Sequence, residues 1–199
     1  MPAGPGGDPI RLALDAIDRV HRDGALPRIV VRRGLLRPSR QGYYDPVASQ
    51  VVVNDATTRP ALTMLHETGH IIDLYGLGTS DAFASVVEAE LNDWRRAAGG
   101  TQALQRLTEL VQTIVEPDKA RYLRYLTMVE EIWARSYAQY IVTRSAEPEL
   151  QRQLDMVRQR RPGQTLYIPR QWEDGDFVSV AAEIDRLFQQ QGWIVWPSP

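Results

Sequence analysis

The chain has 199 residues, with 23 basic and 25 acidic side chains and no cysteine. That length suffices for one well-buried domain, and the near-neutral charge shows no long run of one sign. A nucleic-acid-binding or membrane-surface protein is therefore not indicated. The absence of cysteine excludes thiolate metal ligands, disulfides and thiol catalysis. No apolar stretch in the sequence reaches the roughly 20 residues of a membrane-spanning helix.

The N-terminal residues 1–9 are rich in glycine and proline and predict a disordered arm. They lack the apolar segment of a signal peptide or a membrane anchor, so we expect a cytoplasmic protein. The remaining residues, 10–199, show no internal repeat or linker. They predict a single domain with a helical C-terminal extension.

Apolar periodicity and turn residues predict the following elements in chain order: a helix over 10–22, β-prone segments over 28–33, 42–44 and 49–54, helices from about 57 to 75, 81 to 98, 101 to 115, 117 to 143 and 147 to 160, a short strand over 165–168, and a helix over 174–190. The second and third β-prone segments flank a turn and predict a hairpin. Strands followed by helices predict an α+β domain, in which a small N-terminal sheet packs on one central helix.

The central helix carries the segment His66-Glu67-Thr68-Gly69-His70, which holds two of the three histidines of the chain. Histidines four residues apart lie on one helix face, where both rings can reach one metal ion. Glu67 would then project beside the ion as a general base for a metal-activated water. Thr68 and Gly69 are small, and we expect them to leave room on the substrate side. The motif predicts a zinc site.

The third protein ligand is predicted to be Glu131, because Ala134 and Ala138 share its helix face and would allow a close approach to the motif helix. The alternatives are Asp73, which we expect instead to accept an imidazole N–H or to cap the helix end, and the adjacent Glu130, which we expect to be solvated or paired with an arginine. Weaker candidates are the more surface-charged Glu88 and Glu90, and His21, which we expect to be solvated.

The segment His66–Asp73, together with Glu131-Ile132-Trp133-Ala134-Arg135, resembles the gluzincin arrangement of zinc metallopeptidases. It is most similar to anthrax-lethal-factor-like peptidases and to the zincin-like domains of phage head-morphogenesis and polyvalent proteins. The resemblance covers residues 28–140 and implies a zincin-like metallopeptidase domain. The chain departs from the lethal-factor-like pattern at Arg135, where those enzymes commonly carry an acidic residue.

The expected activity is a zinc-dependent endopeptidase in which Glu67 transfers the proton and a tyrosine steadies the oxyanion. The candidate tyrosines are Tyr122, Tyr125 and Tyr137. The expected partner is a peptide or protein substrate. One alternative is a zincin domain of a phage particle or an effector, virion-associated or part of a larger parent polypeptide, with a structural or protein-binding role. Another is a regulatory peptidase that cleaves one dedicated protein.

Overall fold

The strands precede most of the helices, and the predicted α+β class is confirmed. The computed structural model describes residues 8–22, 26–37, 39–159 and 166–194. The elements in chain order are α1 (Pro9–Val20), β1 (Val30–Gly34), β2 (Gly42–Asp45), β3 (Gln50–Asn54), α2 (Pro60–Ile71), a π-helical turn (Ile72–Gly76), α3 (Ala84–Val87), a 3-10 turn (Ala89–Leu91), α4 (Asn92–Gly99), α5 (Gln102–Thr113), α6 (Pro117–Leu126), α7 (Val129–Ser145), α8 (Pro148–Arg158) and α9 (Asp174–Gln190). None of the helices in the described segments combines the length and apolar content that a membrane crossing requires.

The first helix begins earlier than the sequence predicted. The Asp8 side chain accepts a hydrogen bond from the amide of Ile10, and Pro9 occupies the first turn, where its missing N–H costs nothing. The last two residues of the expected arm 1–9 therefore belong to this helix and its cap. Residues 1–7 lie outside the described residues.

The three strands form one mixed sheet in the order β1-β3-β2. The strands β2 and β3 pair antiparallel, as the predicted hairpin requires, and β1 pairs parallel to β3. The central strand buries Val51, Val52 and Val53. The edge strand β2 runs beside α2: a Cβ placed on Gly42 would lie only 2.7 Å from Cγ2 of Thr63. The sheet is thus positioned directly against the helix that carries the histidines.

The helices α2 and α7 cross in close contact at the centre of the molecule. A Cβ on Gly69 would lie 2.9 Å from Cα of Ala134, and the indole N–H of Trp133 donates to the Gly69 carbonyl at 3.0 Å. Thr68 is buried and its hydroxyl donates to the Met64 carbonyl. The expectation that these two small residues leave room on the substrate side is therefore wrong for Gly69, whose missing side chain allows the helix contact. Neither Thr68 nor Gly69 lines the described cleft.

Two helices that the sequence predicted as continuous are interrupted. The segment 117–143 divides into α6 and α7 at Met128, whose backbone is extended. At this break the Arg135 guanidinium donates a hydrogen bond to the Leu126 carbonyl. The segment 81–98 divides into α3, the 3-10 turn and α4, where Arg95 donates to the carbonyls of Ser85 and Glu88. In both places an arginine of the following helix donates to carbonyls at the break, and apolar periodicity does not reveal such a bond.

The C-terminal elements follow the prediction more closely. The helix α9 spans Asp174–Gln190, the predicted range. The predicted strand over 165–168 is wrong for the described part, because 166–168 form no strand; Thr165 lies outside the described residues.

Candidate metal centre

One face of α2 presents both histidines of the motif to Glu131 on α7. Nε2 of His66 lies 3.4 Å from Oε2 of Glu131, and Nε2 of His70 lies 3.3 Å from Oε1. One ligand atom from each of the three residues falls within 4.8 Å of the others. The two rings meet edge to face, with centroids 4.9 Å apart. The structure therefore brings together the three side chains that the sequence predicted as ligands.

Glu131 occupies the first turn of α7, which begins at Val129 directly after the extended Met128. A carboxylate is favourable at a helix N-terminus, where backbone N–H groups carry positive partial charge. Burial opposes ionisation of Glu131, but the close contacts of its carboxylate with the imidazoles of His66 and His70 outweigh it and hold its pKa below the usual range. Burial likewise opposes protonation of His70, and the bond to Glu131 overcomes this and raises the pKa of that imidazole. The cluster as it stands is a compact charged group.

Glu67 is buried between the histidine face of α2 and the edge strand. A Cβ on Gly42 would lie 3.3 Å from Oε1 of Glu67, so the backbone of the edge strand closely approaches this carboxylate. Burial raises the pKa of Glu67, while the charges of His66 and His70 oppose that rise. Its position beside the histidines and its raised pKa are those of a carboxylate that can take up a proton.

Asp73 does not join the ligand cluster. Its two carboxylate oxygens accept from the backbone N–H of Ser85 at 2.6 Å and from the Ser85 hydroxyl at 2.5 Å. Burial raises its pKa to about 6, against the lowering effect of these bonds. The expected hydrogen bond from an imidazole N–H to the Asp73 carboxylate is not observed: Nδ1 of His70 has no hydrogen-bond partner among the described residues. Asp73 instead fixes the start of α3.

The remaining carboxylate candidates stand apart from the cluster. Glu130 lines the cleft beside Glu131 without entering the ligand group. The exposed Glu90 accepts a hydrogen bond from Gln191, and Glu88 precedes the 3-10 turn. Neither of these two lines the cleft in the described structure.

His21 is buried, so the expectation of a solvated ring is wrong. Nδ1 lies 2.8 Å from the Arg22 carbonyl and Nε2 lies 2.9 Å from the Tyr137 hydroxyl. Phe188 and Trp193 pack against the imidazole, with ring centroids 4.7 and 5.8 Å away. Aromatic partners from the last part of the chain therefore bury this ring. The same contact removes Tyr137 from the candidates for an oxyanion donor, because its hydroxyl faces His21.

Tyr122 and Tyr125 both line the cleft, and their rings stack with centroids 6.5 Å apart. Tyr125 is 43% exposed, but its hydroxyl end lies close to Glu131. Burial of that end, followed by the charge and hydrogen bonding of Glu131, raises the pKa of Tyr125. Tyr125 is therefore a neutral donor beside the ligand cluster, and Tyr122 stacks on it in the same cleft.

The cluster opens into a cleft of about 690 Å³ between the edge strand, α2 and α7. Arg135, the departure from the lethal-factor-like pattern, lies buried in its wall. Its guanidinium donates to the carbonyls of Glu131, Leu126 and Arg170 and packs over the Trp172 ring at 5.3 Å. Burial lowers its pKa to about 10, although the charge of Glu131 opposes this. Arg135 thus links α7 to the end of α6 and to the segment around Arg170.

Three positioning residues were not singled out from the sequence. Gly42 allows the edge strand to approach Glu67, Phe83 packs its ring 5.9 Å from that of His70, and Ser85 holds Asp73. A glycine at the start of a β-prone segment was the one available signal, because such a glycine often marks a close backbone approach. The contacts of Phe83 and Ser85 depend on the π-helical turn that follows α2.

Comparison of the chain with protein-family models, with curated proteins and with solved structures finds no match. The resemblance to zinc metallopeptidases thus stays a prediction that rests on the motif residues.

Proposed function

We propose that this protein is a zinc-dependent endopeptidase. The observation that carries the proposal is the convergence of His66, His70 and Glu131 beside the buried Glu67, at the floor of an open cleft. Two imidazoles and one carboxylate form a donor set typical of a catalytic zinc, which keeps its fourth position for water or substrate. A site with a purely structural role has no use for a neighbouring general base.

The donor chemistry of the cluster fits zinc. Oε2 of Glu131 is buried and has no hydrogen-bond partner among the described residues, although it lies close to His66. Such an oxygen is costly to bury without a partner, and a cation would satisfy it. Zinc bound by His66, His70 and Glu131 would lower the pKa of a water and polarise the scissile carbonyl.

The protein groups around the cluster supply the proton transfer. Glu67, buried beside the edge strand, accepts the proton of the attacking water and delivers it to the departing amine. Its raised pKa suits both halves of that transfer. Tyr125, whose raised pKa keeps its hydroxyl protonated, donates a hydrogen bond to the oxyanion.

The proposal is tested by the hydrolysis of a mixed peptide library by the zinc-loaded full chain, with cleavage sites read by mass spectrometry. We expect defined cleavage that a zinc chelator abolishes and that Glu67→Gln lowers by about 100-fold to 10,000-fold, the range of general acid–base catalysis. Glu109→Gln, at an exposed pair with Arg106 on α5, is the matched control and should keep full activity. Equal activity of the wild type and Glu67→Gln would overturn the proposal.

A further inference from the structure

Three glutamines are buried in the described segments, and they differ in how completely their carboxamides are hydrogen-bonded. Gln139 accepts from the Trp172 amide at 3.1 Å and donates to the Trp172 carbonyl at 3.0 Å. Gln153 accepts from one backbone amide at 3.0 Å and donates to one carboxylate at 2.8 Å. Oε1 of Gln171, in contrast, is buried without a hydrogen-bond partner in the described segments. Two of these carboxamides therefore stabilise the fold, whereas the third is incompletely bonded within it.

Gln171 is also the one of these three glutamines that lines the cleft of the candidate metal centre. A carboxamide carries two N–H donors and one carbonyl acceptor. Burial of an acceptor without a partner costs free energy, so most buried polar atoms in proteins are paired. The terminal torsion of a glutamine is broad, and a ligand in the cleft can turn the carboxamide towards its own hydrogen-bonding group. The unpaired oxygen therefore indicates a ligand that donates a hydrogen bond.

The backbone on both sides of Gln171 is fixed to α7. The Arg170 carbonyl accepts from the Arg135 guanidinium at 3.2 Å. The amide and the carbonyl of Trp172 are both bonded to the Gln139 side chain. A side chain on a fixed backbone has less freedom to lose when it binds a ligand, which favours binding.

The Arg135 guanidinium also connects this segment to the ligand cluster. It donates to the Glu131 carbonyl at 3.2 Å and to the Arg170 carbonyl at 3.2 Å, so one guanidinium group bridges these two carbonyls. Gln171 directly follows Arg170. An extended peptide covers about 13 Å in four residues. A peptide bound at the ligand cluster can therefore reach Gln171 within a few residues of the bond that is cleaved.

The group that Gln171 binds should be uncharged. Arg135 is buried, and its guanidinium contacts the residue that precedes Gln171. Like charges repel strongly in a buried environment, so a lysine or arginine of the substrate is disfavoured beside it. Amide groups of a peptide are neutral donors, and each also carries a carbonyl that can accept from Nε2 of a glutamine.

We infer that Gln171 is a substrate-binding residue of the proposed peptidase, whose carboxamide pairs with an amide group of the peptide within about four residues of the cleaved bond. Oε1 of Gln171 accepts the N–H of that amide. The inference rests on the proposed function and adds a residue that selects the substrate. The amide belongs either to the peptide backbone or to an asparagine or glutamine side chain.

The test compares the wild type with Gln171→Met, which keeps the length of the side chain and removes its hydrogen bonds. The peptides are based on a cleaved library sequence. One series carries an N-methyl group on each backbone amide in turn, over four residues on each side of the cleaved bond. A second series replaces each asparagine by leucine and each glutamine by methionine. We expect Gln171→Met to lower kcat/KM for the parent peptide by about 10-fold, the effect of one hydrogen bond whose partner is left unpaired.

The paired amide is identified by the modified peptide that the wild type and Gln171→Met cleave equally well. A change at this amide should lower kcat/KM of the wild type by the same factor and leave that of Gln171→Met unchanged, because both changes remove one shared hydrogen bond. The series in which this peptide occurs distinguishes a backbone amide from a side chain. Gln112→Met, at an exposed position of α5, is the matched control and should behave as the wild type.

Urea unfolding without peptide separates substrate binding from a structural role. Gln171→Met removes a buried acceptor that has no partner in the described fold, so the free energy of unfolding should stay unchanged or rise. Gln139→Met removes both bonds to Trp172, so the free energy of unfolding should fall. Equal losses of stability in the two variants would overturn the inference.

The outcomes distinguish this inference from the proposed function. Equal kcat/KM of the wild type and Gln171→Met, or a loss that is the same for every modified peptide, overturns Gln171 as a substrate-binding residue and leaves the peptidase standing. If the wild type cleaves no peptide, the proposed function fails, and fluorescence anisotropy then measures binding of labelled library peptides to the zinc-loaded Glu67→Gln protein, with and without Gln171→Met. Weaker binding with Gln171→Met supports the inference, and equal binding or none overturns it.

Discussion

The two sides of α7 hold histidines in opposite situations. On one side, His21 is enclosed by aromatic rings, and both of its ring nitrogens have hydrogen-bond partners. On the other side, His66 and His70 direct Nε2 at the same carboxylate, and Nδ1 of His70 has no partner among the described residues. A histidine whose hydrogen bonds are complete stabilises the fold, whereas converging and incompletely bonded histidines are suited to a ligand.

The largest effect that separates the two sides is expected for Glu131→Gln. Losing a charged ligand should weaken zinc binding by more than about 100-fold, beyond the 10-fold to 100-fold typical of groups that only support a ligand. Isothermal titration calorimetry of the full chain gives the affinity. Glu130→Gln, one residue away and outside the ligand group, is the matched control and should stay within a few-fold of the wild type. Equal losses in both variants would contradict the assignment of Glu131.

The assignment of Glu131 also shows what the sequence could and could not predict. The spacing of His66 and His70 and the small Ala134 on the second helix were sufficient to predict the three ligand candidates, because helix periodicity fixes which residues share a face. The break at Met128 was not predictable. It depends on Arg135, whose guanidinium donates a hydrogen bond to the Leu126 carbonyl nine residues earlier in the chain.

The sheet was predictable from a local sequence pattern, whereas the burial of His21 was not. Two β-prone runs on either side of the turn residues Asp45-Pro46 predicted the hairpin of β2 and β3, because a turn joins them directly in the chain. The burial of His21 depends on Phe188 and Trp193, which lie more than 160 residues later in the chain. Local patterns hold no information on such partners. The role of Asp73 was predicted wrongly for the same reason, because Ser85 reaches it through an irregular turn.

Asp73 is a buried carboxylate near the metal centre. Like His21, and unlike the ligand cluster, it has hydrogen-bond partners for its polar atoms. Its pKa is raised from 3.8 to about 6 in the folded state. Between these two pKa values the folded state retains a proton that the unfolded state loses. The resulting contribution of Asp73 to the free energy of unfolding is fully present below pH 3.8 and is lost as the pH rises through about 6. The full difference is worth on the order of 3 kcal/mol.

The corresponding measurement is urea unfolding of the wild type and Asp73→Asn between pH 4 and pH 7, with chelator present. We expect the free energy of unfolding of the wild type, relative to the variant, to fall by up to about 3 kcal/mol over that range. Parallel pH profiles for the two proteins would show that Asp73 has no raised pKa in the fold. Zinc affinity should change by less than in Glu131→Gln.

The contact of α2 with α7 is the next test, since it sets the distance between the histidines and Glu131. Gly69→Ala places a Cβ 2.9 Å from Cα of Ala134 and should destabilise the protein by roughly 2 kcal/mol. Gly99→Ala is the matched control, because its Cβ would have no neighbour within 4 Å; it should be neutral or stabilising by up to about 1 kcal/mol. Chemical denaturation measures both. Equal effects would contradict the close helix contact.

The smallest effect is expected on the other side of α7. His21→Gln keeps a donor and an acceptor but loses the ring contacts with Phe188 and Trp193, so it should cost about 1 kcal/mol of unfolding free energy. Zinc affinity, measured by calorimetry, should stay that of the wild type. A substantial loss of zinc affinity in this variant would remove the distinction between the two sides.

The most direct test of the central claim is the zinc content of the full chain after dialysis against a small molar excess of zinc, measured by mass spectrometry of the metal. The cluster of His66, His70 and Glu131 predicts about one ion per chain, since these residues supply three ligands of a four-coordinate site. The double substitution His66→Ala with His70→Ala should leave the protein without zinc. A wild type that retains no zinc, or a double variant that retains as much, would contradict the account.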